Sequence, residues 1–186
     1  MLTTIITLFA TMTMHLESGL SNVHRELIEI ASVDETRRTP ITKTELLDVL
    51  HDSHERALGE PPSDRVLASG WAQVAIENGR GEHIYNNNLG NIGAPVSGQR
   101  HYKFGTWRTH RYRSFKTHED GGVAYWLTVK KCPAAYTSFK HGAVTEAAHR
   151  LKRCNYFGAD AHLYAAAMEQ LYAHAMSKLV PLRRGK

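Results

Sequence analysis

Apolar side chains recur with a helical period along much of the chain after residue 40. Thr42 and Glu45 have the spacing of a capping box and predict the start of a helix that ends near residue 57. Ser63 is a typical N-cap for a second helix, which we expect to end at about Asn78 because Gly79 follows it. Similar periods further along the chain predict three more helices, at about 119–131, 143–153 and 161–177.

Residues 82–118 interrupt this pattern. They are rich in Gly, Asn and aromatic residues and show no helical period, which indicates loops and a small hairpin. The sequence therefore predicts an α+β fold that is mainly helical, with a small β-hairpin or loop insertion after the second helix.

The N-terminal part of the chain differs in composition from the rest. Residues 1–16 are apolar and Thr-rich, but the first cation is Arg25 and no small-residue cleavage site is evident, so a secretory signal is not indicated. Two alternatives stay open for this segment: packing on its own domain or a partner chain, or a non-standard export or membrane-lytic leader. Ser21 predicts a short helix over 22–33, and residues 34–40 have the composition of a linker. We therefore expect an N-terminal extension, a main domain and a basic tail, at 1–39, 40–180 and 181–186.

The overall composition and charge narrow the class of protein. Of the 186 residues, 42% are hydrophobic and 22% charged, which is typical of a globular domain and excludes a disordered or collagen-like chain. No apolar run approaches the roughly 20 residues of a membrane span. The formal net charge is +5, and residues 83–118 contain six Lys or Arg and no Asp or Glu. This basic stretch favours an acidic partner: nucleic acid, an anionic membrane surface or an acidic wall polymer.

The histidines and cysteines give no metal signature. His51 and His54 lie three positions apart on the first helix, but no cysteine or carboxylate set with zinc spacing joins them. We therefore expect neither a metal nor another cofactor. Cys132 and Cys154 each follow a basic run near the end of a predicted helix, and they either form a disulfide or stay as two free buried thiols.

Glu77 is placed unusually for a charged residue. It follows Val74 by three positions and Gly70 by seven, which puts it on the apolar stripe of the second helix, at the C-terminal end. Burial there would raise the pKa of the carboxyl and keep it protonated near neutral pH, as a general acid requires. The alternative is a solvated glutamate at a helix C-terminus, an unfavourable position for an anion.

Four short motifs follow one another around and after Glu77. They are WAQVAIENGRG at 71–81, NNLGNI at 87–92, YRSF at 112–115, and FGAD at 157–160 followed by Tyr164. In this order they resemble the motifs of the lysozyme-like peptidoglycan hydrolases, in particular the glucosaminidase branch that includes flagellar rod-cap hydrolases and autolysins. The last motif is one residue longer here than in that family.

The resemblance implies a lysozyme-like fold and cleavage of the β-1,4 glycan strand of peptidoglycan, with Glu77 as the catalytic general acid. It also implies that Tyr156 is a catalytic residue that stabilises the oxocarbenium ion, although Phe157 occupies the aligned position and Tyr156 is alternatively a core aromatic. The basic aromatic stretch of residues 101–113 is interpreted as a glycan groove, with single-stranded nucleic-acid binding or a solvated hairpin as alternatives. The expected substrate-binding residues are Asn87, Asn88, Gly90, Ile92, Tyr102, Trp107 and Tyr112.

The chain departs from the family pattern in its carboxylates. The resembled family keeps a candidate second carboxylate in the hairpin region, where this chain has none. Glu119 and Asp120 suit the first turn of a helix, and Asp160 suits an N-cap. Glu77 is therefore expected to act alone, either as a lytic transglycosylase that closes an anhydro ring or with the 2-acetamido group of the sugar as nucleophile. The alternative is a non-catalytic lysozyme-like module that binds the wall, a virion or an assembly component.

The expected partner is the glycan strand of peptidoglycan, not nucleic acid, and the expected place of action is the bacterial cell wall or periplasm. The delivery route stays open between a secretion device, a flagellar assembly and a phage virion. In each case residues 1–39 are the candidate contact to an assembly partner.

Overall fold

A computed structural model of the chain describes residues 34–94, 100–104 and 110–185. It confirms the predicted fold class, since helices surround one buried core and a two-stranded antiparallel hairpin follows the second of the described helices. The helix predicted over 22–33 lies outside the described residues.

The first two helices begin and end where the sequence predicts. Helix α1 is Lys43–Leu58, and both hydrogen bonds of its capping box, between Thr42 and Glu45, are present. Helix α2 is Asp64–Asn78, with Ser63 as the N-cap. The remaining elements are, in chain order, strands β1 (His101–Phe104) and β2 (His110–Arg113), helices α3 (His118–Lys130), α4 (Pro133–His141), α5 (Val144–Arg153) and α6 (Ala161–His174), a π-helical turn (Ala175–Leu179) and helix α7 (Val180–Arg184).

Helix α2 is the centre of the fold. Every residue from Val66 to Ala75 is buried, because α1, α4, α6 and the π-helical turn all pack against it. The predicted apolar stripe is thus part of a helix that is enclosed on all sides. Gly70 is required there, since a Cβ atom at this position would lie 2.3 Å from the indole of Trp126 on α3.

Helix α4 is missing from the sequence prediction. It is nine residues long, begins with Pro133 in its first turn and has no side-chain hydrogen bond at its N-cap, Cys132. A short helix without a polar cap gives little local signal, and it is stabilised here by packing on α2 and α5.

The last predicted helix continues beyond residue 177 in a different form. After His174 the chain makes one π-helical turn, in which the N–H of Val180 donates to the carbonyl of Ala175. Pro181 follows, and its missing N–H leaves one carbonyl of an ordinary helical ladder without a donor. Arg183 then forms ion pairs with Asp48 and with Asp52 on α1, so part of the predicted basic tail packs on the domain.

Residues 34–40, predicted as a linker, make backbone hydrogen bonds with the chain that follows α2. The N–H of Thr39 donates to the carbonyl of Ile84 (2.8 Å), and the N–H of Asn86 donates to the carbonyl of Arg37 (2.8 Å). The segment therefore lies along residues 79–94, which we call the Asn-rich loop, and it is fixed by backbone hydrogen bonds.

Cys132 and Cys154 form a disulfide, which decides between the two alternatives that the sequence left open. Cys132 lies between α3 and α4, and Cys154 is the first residue after α5. The bond thus ties the end of α5 to the junction of the two preceding helices. In the described part of the chain, no helix has the length and apolar character needed to cross a membrane.

Candidate active site

Glu77 is the penultimate residue of α2, at the point where the helix leaves the core. The next residue, Asn78, is buried, donates to the carbonyl of Leu89 (3.1 Å) and accepts from the N–H of Gly81 (2.8 Å). Together with the left-handed conformation of Gly79, these bonds fold the Asn-rich loop back over the end of the helix. Glu77 is therefore half-buried rather than fully solvated.

Asn91 connects the Asn-rich loop to the carboxyl group. Its Nδ2 donates to the backbone carbonyl of Glu77 (2.8 Å) and, more weakly, to Oε2 of the same residue (3.4 Å). Asn86, Asn87 and Asn91 have positive φ angles, which asparagine adopts more readily than most residues. Asparagine thus suits this loop for two reasons: it tolerates positive φ angles, and its side-chain amide forms hydrogen bonds such as the one to Glu77.

Tyr164 on α6 makes the shorter contact with the catalytic candidate. Its hydroxyl donates to Oε1 of Glu77 at 2.8 Å. The ring of Tyr164 is buried and lies flat against Phe157, with 3.7 Å between centroids and 6° between planes. Stacking on Phe157 therefore fixes the ring of Tyr164, and the hydrogen bond to Glu77 fixes its hydroxyl.

The surroundings raise the pKa of Glu77. Burial is the largest cause, and it outweighs the hydrogen bonds from Tyr164 and Asn91, which act in the opposite direction by stabilising the carboxylate. Burial, reinforced by the charge of Glu77, also raises the pKa values of Tyr164 and Tyr156. Both phenols consequently stay protonated at neutral pH and remain hydrogen-bond donors.

Gln73, one helical turn before Glu77, forms the deeper wall of this cluster. Its Oε1 accepts a 2.6 Å hydrogen bond from the buried hydroxyl of Tyr125. Its Nε2 is buried without a hydrogen-bond partner among the described atoms, although the side chain lies near enough to Tyr156 and Tyr164 to lower their pKa values. Among the described residues, the Gln73 amide and the hydroxyls of Tyr125, Tyr156 and Tyr164 thus add to the polar contact that Asn91 makes with Glu77.

Tyr156 lies in the loop after α5, near Glu77, as its predicted role requires. Its hydroxyl donates to the carbonyl of Gly90 at 3.3 Å. A Cβ atom on Gly90 would lie 2.7 Å from this hydroxyl and 2.9 Å from the ring of Tyr125. Gly90 therefore allows the Asn-rich loop to approach the tyrosines closely.

The other predicted residues of the Asn-rich loop make hydrogen bonds within the protein. Asn87 donates to the carbonyls of Phe115 and of Lys116 (both 3.0 Å). Asn88 is fully buried and bridges Ile92 and the end of β2 through its amide. Ile92 is half-buried against the core. These contacts hold the loop together, and direct contact of these residues with substrate stays a prediction.

The hairpin brings two of its predicted aromatic residues together. Tyr102 on β1 is directly opposite Tyr112 on β2, and their rings stack with 5.7 Å between centroids. Tyr102 is only 2% exposed, whereas Tyr112 is half-buried. Tyr102 therefore supports Tyr112, and the third predicted aromatic, Trp107, lies outside the described residues.

Two of the three carboxylates that could assist Glu77, those of Asp120 and Asp160, have contacts elsewhere. Asp120, in the first turn of α3, pairs with Arg56 (3.4 Å), and Glu119 is in the same turn. Asp160 is the N-cap of α6 and accepts the N–H groups of the two residues after Ala161, at 2.9 and 3.0 Å. Among the described residues, no Asp or Glu contributes to the pKa of Glu77.

Sequence reasoning missed Tyr164 as the direct partner of Glu77. Tyr164 is the final residue of the fourth motif, but the resemblance points to Tyr156 for the catalytic role. The second missed residue, Gln73, carried a readable signal: it lies four positions before Glu77 and is therefore on the same face of the helix. Asn91 was part of the second motif without a role of its own.

Comparison with known proteins bears on the fold. No family model matches the sequence, and no curated protein matches it. The peptidoglycan hydrolase from Sphingomonas sp. A1 is similar in structure, with a TM-score of 0.58 and 18% identity over 75% of this chain and 94% of that chain. The glycoside hydrolase domain of FlgJ from Salmonella typhimurium has a TM-score of 0.53 and 17% identity over 78% of this chain and 96% of that chain. These likenesses confirm the lysozyme-like fold expected from the ordered motifs.

Proposed function

We propose that this protein cleaves the β-1,4 glycan strand of peptidoglycan, with Glu77 as the general acid. The observation that carries the proposal is the carboxyl of Glu77 itself: half-buried at the end of the central helix, raised in pKa, and held by Tyr164 and Asn91. The fold adds support, since both similar structures are named as hydrolases, one of them of peptidoglycan.

The hydrogen bonds assign different tasks to the two carboxyl oxygens. Oε1 accepts the 2.8 Å bond from Tyr164, whereas Oε2 has only the 3.4 Å contact with Asn91. In the neutral acid the proton therefore belongs on Oε2, which is the oxygen that delivers it to the glycosidic oxygen. Proton transfer breaks the bond to the leaving sugar and leaves an oxocarbenium-like centre next to a newly ionised carboxylate.

Tyrosine hydroxyls, not a second carboxylate, stabilise the charge in this mechanism. Tyr156 is the candidate, because its hydroxyl lies beside the site and its oxygen keeps a lone pair while the proton is donated to Gly90. The centre then collapses in one of two ways. In the first, the ionised Glu77 removes a proton from the muramyl 6-hydroxyl and an anhydro ring closes. In the second, the 2-acetamido oxygen of the substrate attacks the anomeric carbon, and water then hydrolyses the cyclic intermediate.

The charge distribution fits an acidic glycan. Residues 83–118 carry six cations and no carboxylate, so the region around the hairpin attracts the carboxylates of lactyl groups and peptide stems. Tyr112 is a half-buried aromatic of the hairpin, and a sugar would stack against its ring. We place the activity at the bacterial cell wall, with residues 1–39 as the candidate contact to an assembly partner.

Digestion of purified peptidoglycan followed by mass analysis of the fragments tests the proposal. Anhydro-muramic ends would identify ring closure, and reducing glucosamine or muramic ends would identify hydrolysis and the bond that is cut. Glu77→Gln should yield no fragments, while Glu82→Gln, which neutralises an exposed glutamate five residues away, should yield the wild-type set. Binding to the wall without any fragments from the wild-type protein would favour the non-catalytic module instead.

A further inference from the structure

The loop between α5 and α6 reaches the Glu77 site beside the Asn-rich loop, because the hydroxyl of Tyr156 donates to the carbonyl of Gly90. We call residues 155–160 the 155–160 loop. It begins with Asn155 in the left-handed conformation (φ 55°) and ends at Asp160, the N-cap of α6. Between these ends it carries Tyr156, which makes this hydrogen bond to Gly90, and Phe157, which stacks on Tyr164.

A single side chain holds the middle of this loop. Nζ of Lys152, in the last turn of α5, donates to the carbonyls of Gly158 (2.7 Å) and Ala159 (2.8 Å), and approaches the carbonyl of Phe157 at 3.4 Å. An ammonium group has three N–H donors and no acceptor, so three successive carbonyls match its full donor capacity. Hydrogen bonds from a charged donor are also stronger than those between neutral groups.

Other contacts fix the ends of the loop but not its middle. The disulfide at Cys154 anchors the end of α5, and Asp160 accepts two N–H groups of α6. Hydrogen bonds from the N–H groups of Leu163 and His162 are the main causes that lower the pKa of Asp160, and the charge of Lys152 lowers it further. The Lys152 ammonium and the ionised N-cap therefore stabilise each other. The neighbouring cation, Arg153, is exposed and shows none of these contacts with the loop.

The loop reaches the catalytic candidate through stacked rings. Phe157 lies 3.7 Å from Tyr164, centroid to centroid, and Nζ of Lys152 lies 5.6 Å from the centroid of Phe157. The hydroxyl of Tyr164 in turn donates to Oε1 of Glu77 at 2.8 Å. A continuous set of contacts thus runs from the Lys152 ammonium to the carboxyl group.

We propose that Lys152 is a positioning residue for the reaction: its ammonium fixes the 155–160 loop and, through Phe157, holds the Tyr164 hydroxyl on Glu77. The inference rests on the proposed function, in which Glu77 is the general acid. It predicts that removing the ammonium impairs the chemical step although Lys152 itself does not contact Glu77.

The central test compares three variants in a wall-digestion assay over a range of pH. Lys152→Met keeps the aliphatic part of the side chain but removes the donors, and we expect kcat to fall on the order of 10-fold to 100-fold with little change in KM, because small misplacements of catalytic groups cost this much. The alkaline limb of activity should move to higher pH, since Tyr164 would no longer favour ionised Glu77. Lys152→Arg should retain most of the activity. Arg153→Met, which removes an exposed charge from the same helix, should keep the wild-type kcat, and any shift of its alkaline limb measures the effect of charge alone.

Loss of a positive charge alone would also move the alkaline limb upward, so the limb must be measured again in a Tyr164→Phe background. The groups that face Glu77 there are Asn91, Tyr125 and Tyr156. We expect Lys152→Met to leave the limb of the Tyr164→Phe protein unmoved. A further shift in that background, or wild-type kcat and limb in the Lys152→Met single variant, would overturn the proposal.

A stability measurement decides the question without any activity. Chemical denaturation of Lys152→Met, Tyr164→Phe and the double variant should show a combined loss smaller than the sum of the two separate losses. Additive losses would show that the two residues are independent and would refute the inference. If Lys152→Met is too unstable to purify, Lys152→Gln replaces it with the same expectations. If the wild-type protein digests no wall, the proposed function fails and this cycle alone decides the link between Lys152 and Tyr164.

Discussion

The hydroxyl of Tyr164 donates a 2.8 Å hydrogen bond to the carboxyl of Glu77, although 87 positions separate the two residues in the chain. The bond joins the central helix α2 to α6 and stabilises the ionised form of Glu77, while burial stabilises the protonated form. The site therefore combines a raised pKa with a fixed orientation, which are the two properties that a general acid needs.

Glu77→Gln should abolish catalysis and at the same time stabilise the protein at neutral pH. A lost general acid costs about 10²–10⁴ in rate. Because the pKa of Glu77 is raised in the folded protein, ionisation destabilises the fold as pH rises from the ordinary glutamate range through the raised pKa. The stability difference between variant and wild type should thus be small in acid, grow with pH and then level off, as thermal melts over a pH series would show. A difference that is the same at every pH would contradict the raised pKa.

Tyr164→Phe should show how much the hydroxyl of Tyr164 contributes to the acidity of Glu77. The ring and its stacking on Phe157 are retained, but the hydroxyl that lowers the pKa of Glu77 is lost. We expect kcat to fall and the alkaline limb of the pH–rate profile to move to higher pH, since the acid stays protonated longer. Tyr172→Phe, which removes a hydroxyl on the same helix away from Glu77, is the matched control. An unmoved limb in Tyr164→Phe would mean that the hydrogen bond has no role in setting the acidity.

Local signals and long-range contacts differ in how far the sequence reveals them. The N-caps of α1 and α2 depend only on residues close in sequence: Thr42 with Glu45 for α1, and Ser63 for α2. The sequence predicts both correctly. The pairing of Glu77 with Tyr164 depends on how α6 packs against α2, and no periodicity of either helix contains that information. Tyr156 and Tyr164 were equally available to sequence reasoning, and only the fold shows which one meets the carboxyl.

Gly90→Ala should damage the site through packing rather than chemistry. The added methyl group would lie 2.7 Å from the hydroxyl of Tyr156 and 2.9 Å from the ring of Tyr125, so one of the rings must move. Overpacking of this kind costs about 1–3 kcal/mol in the free energy of unfolding, and activity should fall with it. Gly93→Ala is the control in the same loop, because its Cβ would meet only a backbone oxygen at 3.8 Å. Equal effects of the two substitutions on activity would argue against a close fit at Gly90.

His54 should make the protein acid-sensitive. Its Nδ1 lies 2.8 Å from the carbonyl of Glu60 and must donate to it, so in the neutral ring Nε2 accepts from the hydroxyl of Tyr136 (2.9 Å). Burial is the main cause that lowers the pKa of His54, with smaller contributions in the same direction from His51 and Lys130. The fold therefore holds fewer protons than the unfolded chain, and stability is lost as pH falls below the ordinary histidine pKa towards the lowered one.

Chemical denaturation of the wild type and of His54→Gln between neutral and mildly acidic pH tests this. The wild-type protein should lose stability over that range by more than the variant, whatever their difference at neutral pH. Parallel curves would show that His54 titrates normally in the fold.

The prediction with the greatest consequence for mechanism is that no second carboxylate takes part. Glu119→Gln, Asp120→Asn and Asp160→Asn should each keep substantial activity. Asp160 is the strictest case, because its carboxyl caps α6 directly ahead of Tyr164, yet asparagine is nearly as good an N-cap and should preserve the helix start.

The physical basis is that all three carboxyls lie at helix N-termini, where negative charge is favourable, and that Asp120 and Asp160 also have partners there. Glu119 and Asp120 complement the N-terminus of α3, where Asp120 also pairs with Arg56, and Asp160 accepts the first N–H groups of α6. The enzyme should then show an alkaline limb set by Glu77 and no acid limb from an ionised carboxylate base. Loss of activity in one of the three variants of the kind seen for Glu77→Gln, with the fold intact by circular dichroism, would identify a second catalytic carboxylate. It would replace the single-acid mechanism with the paired one used by most glycosidases.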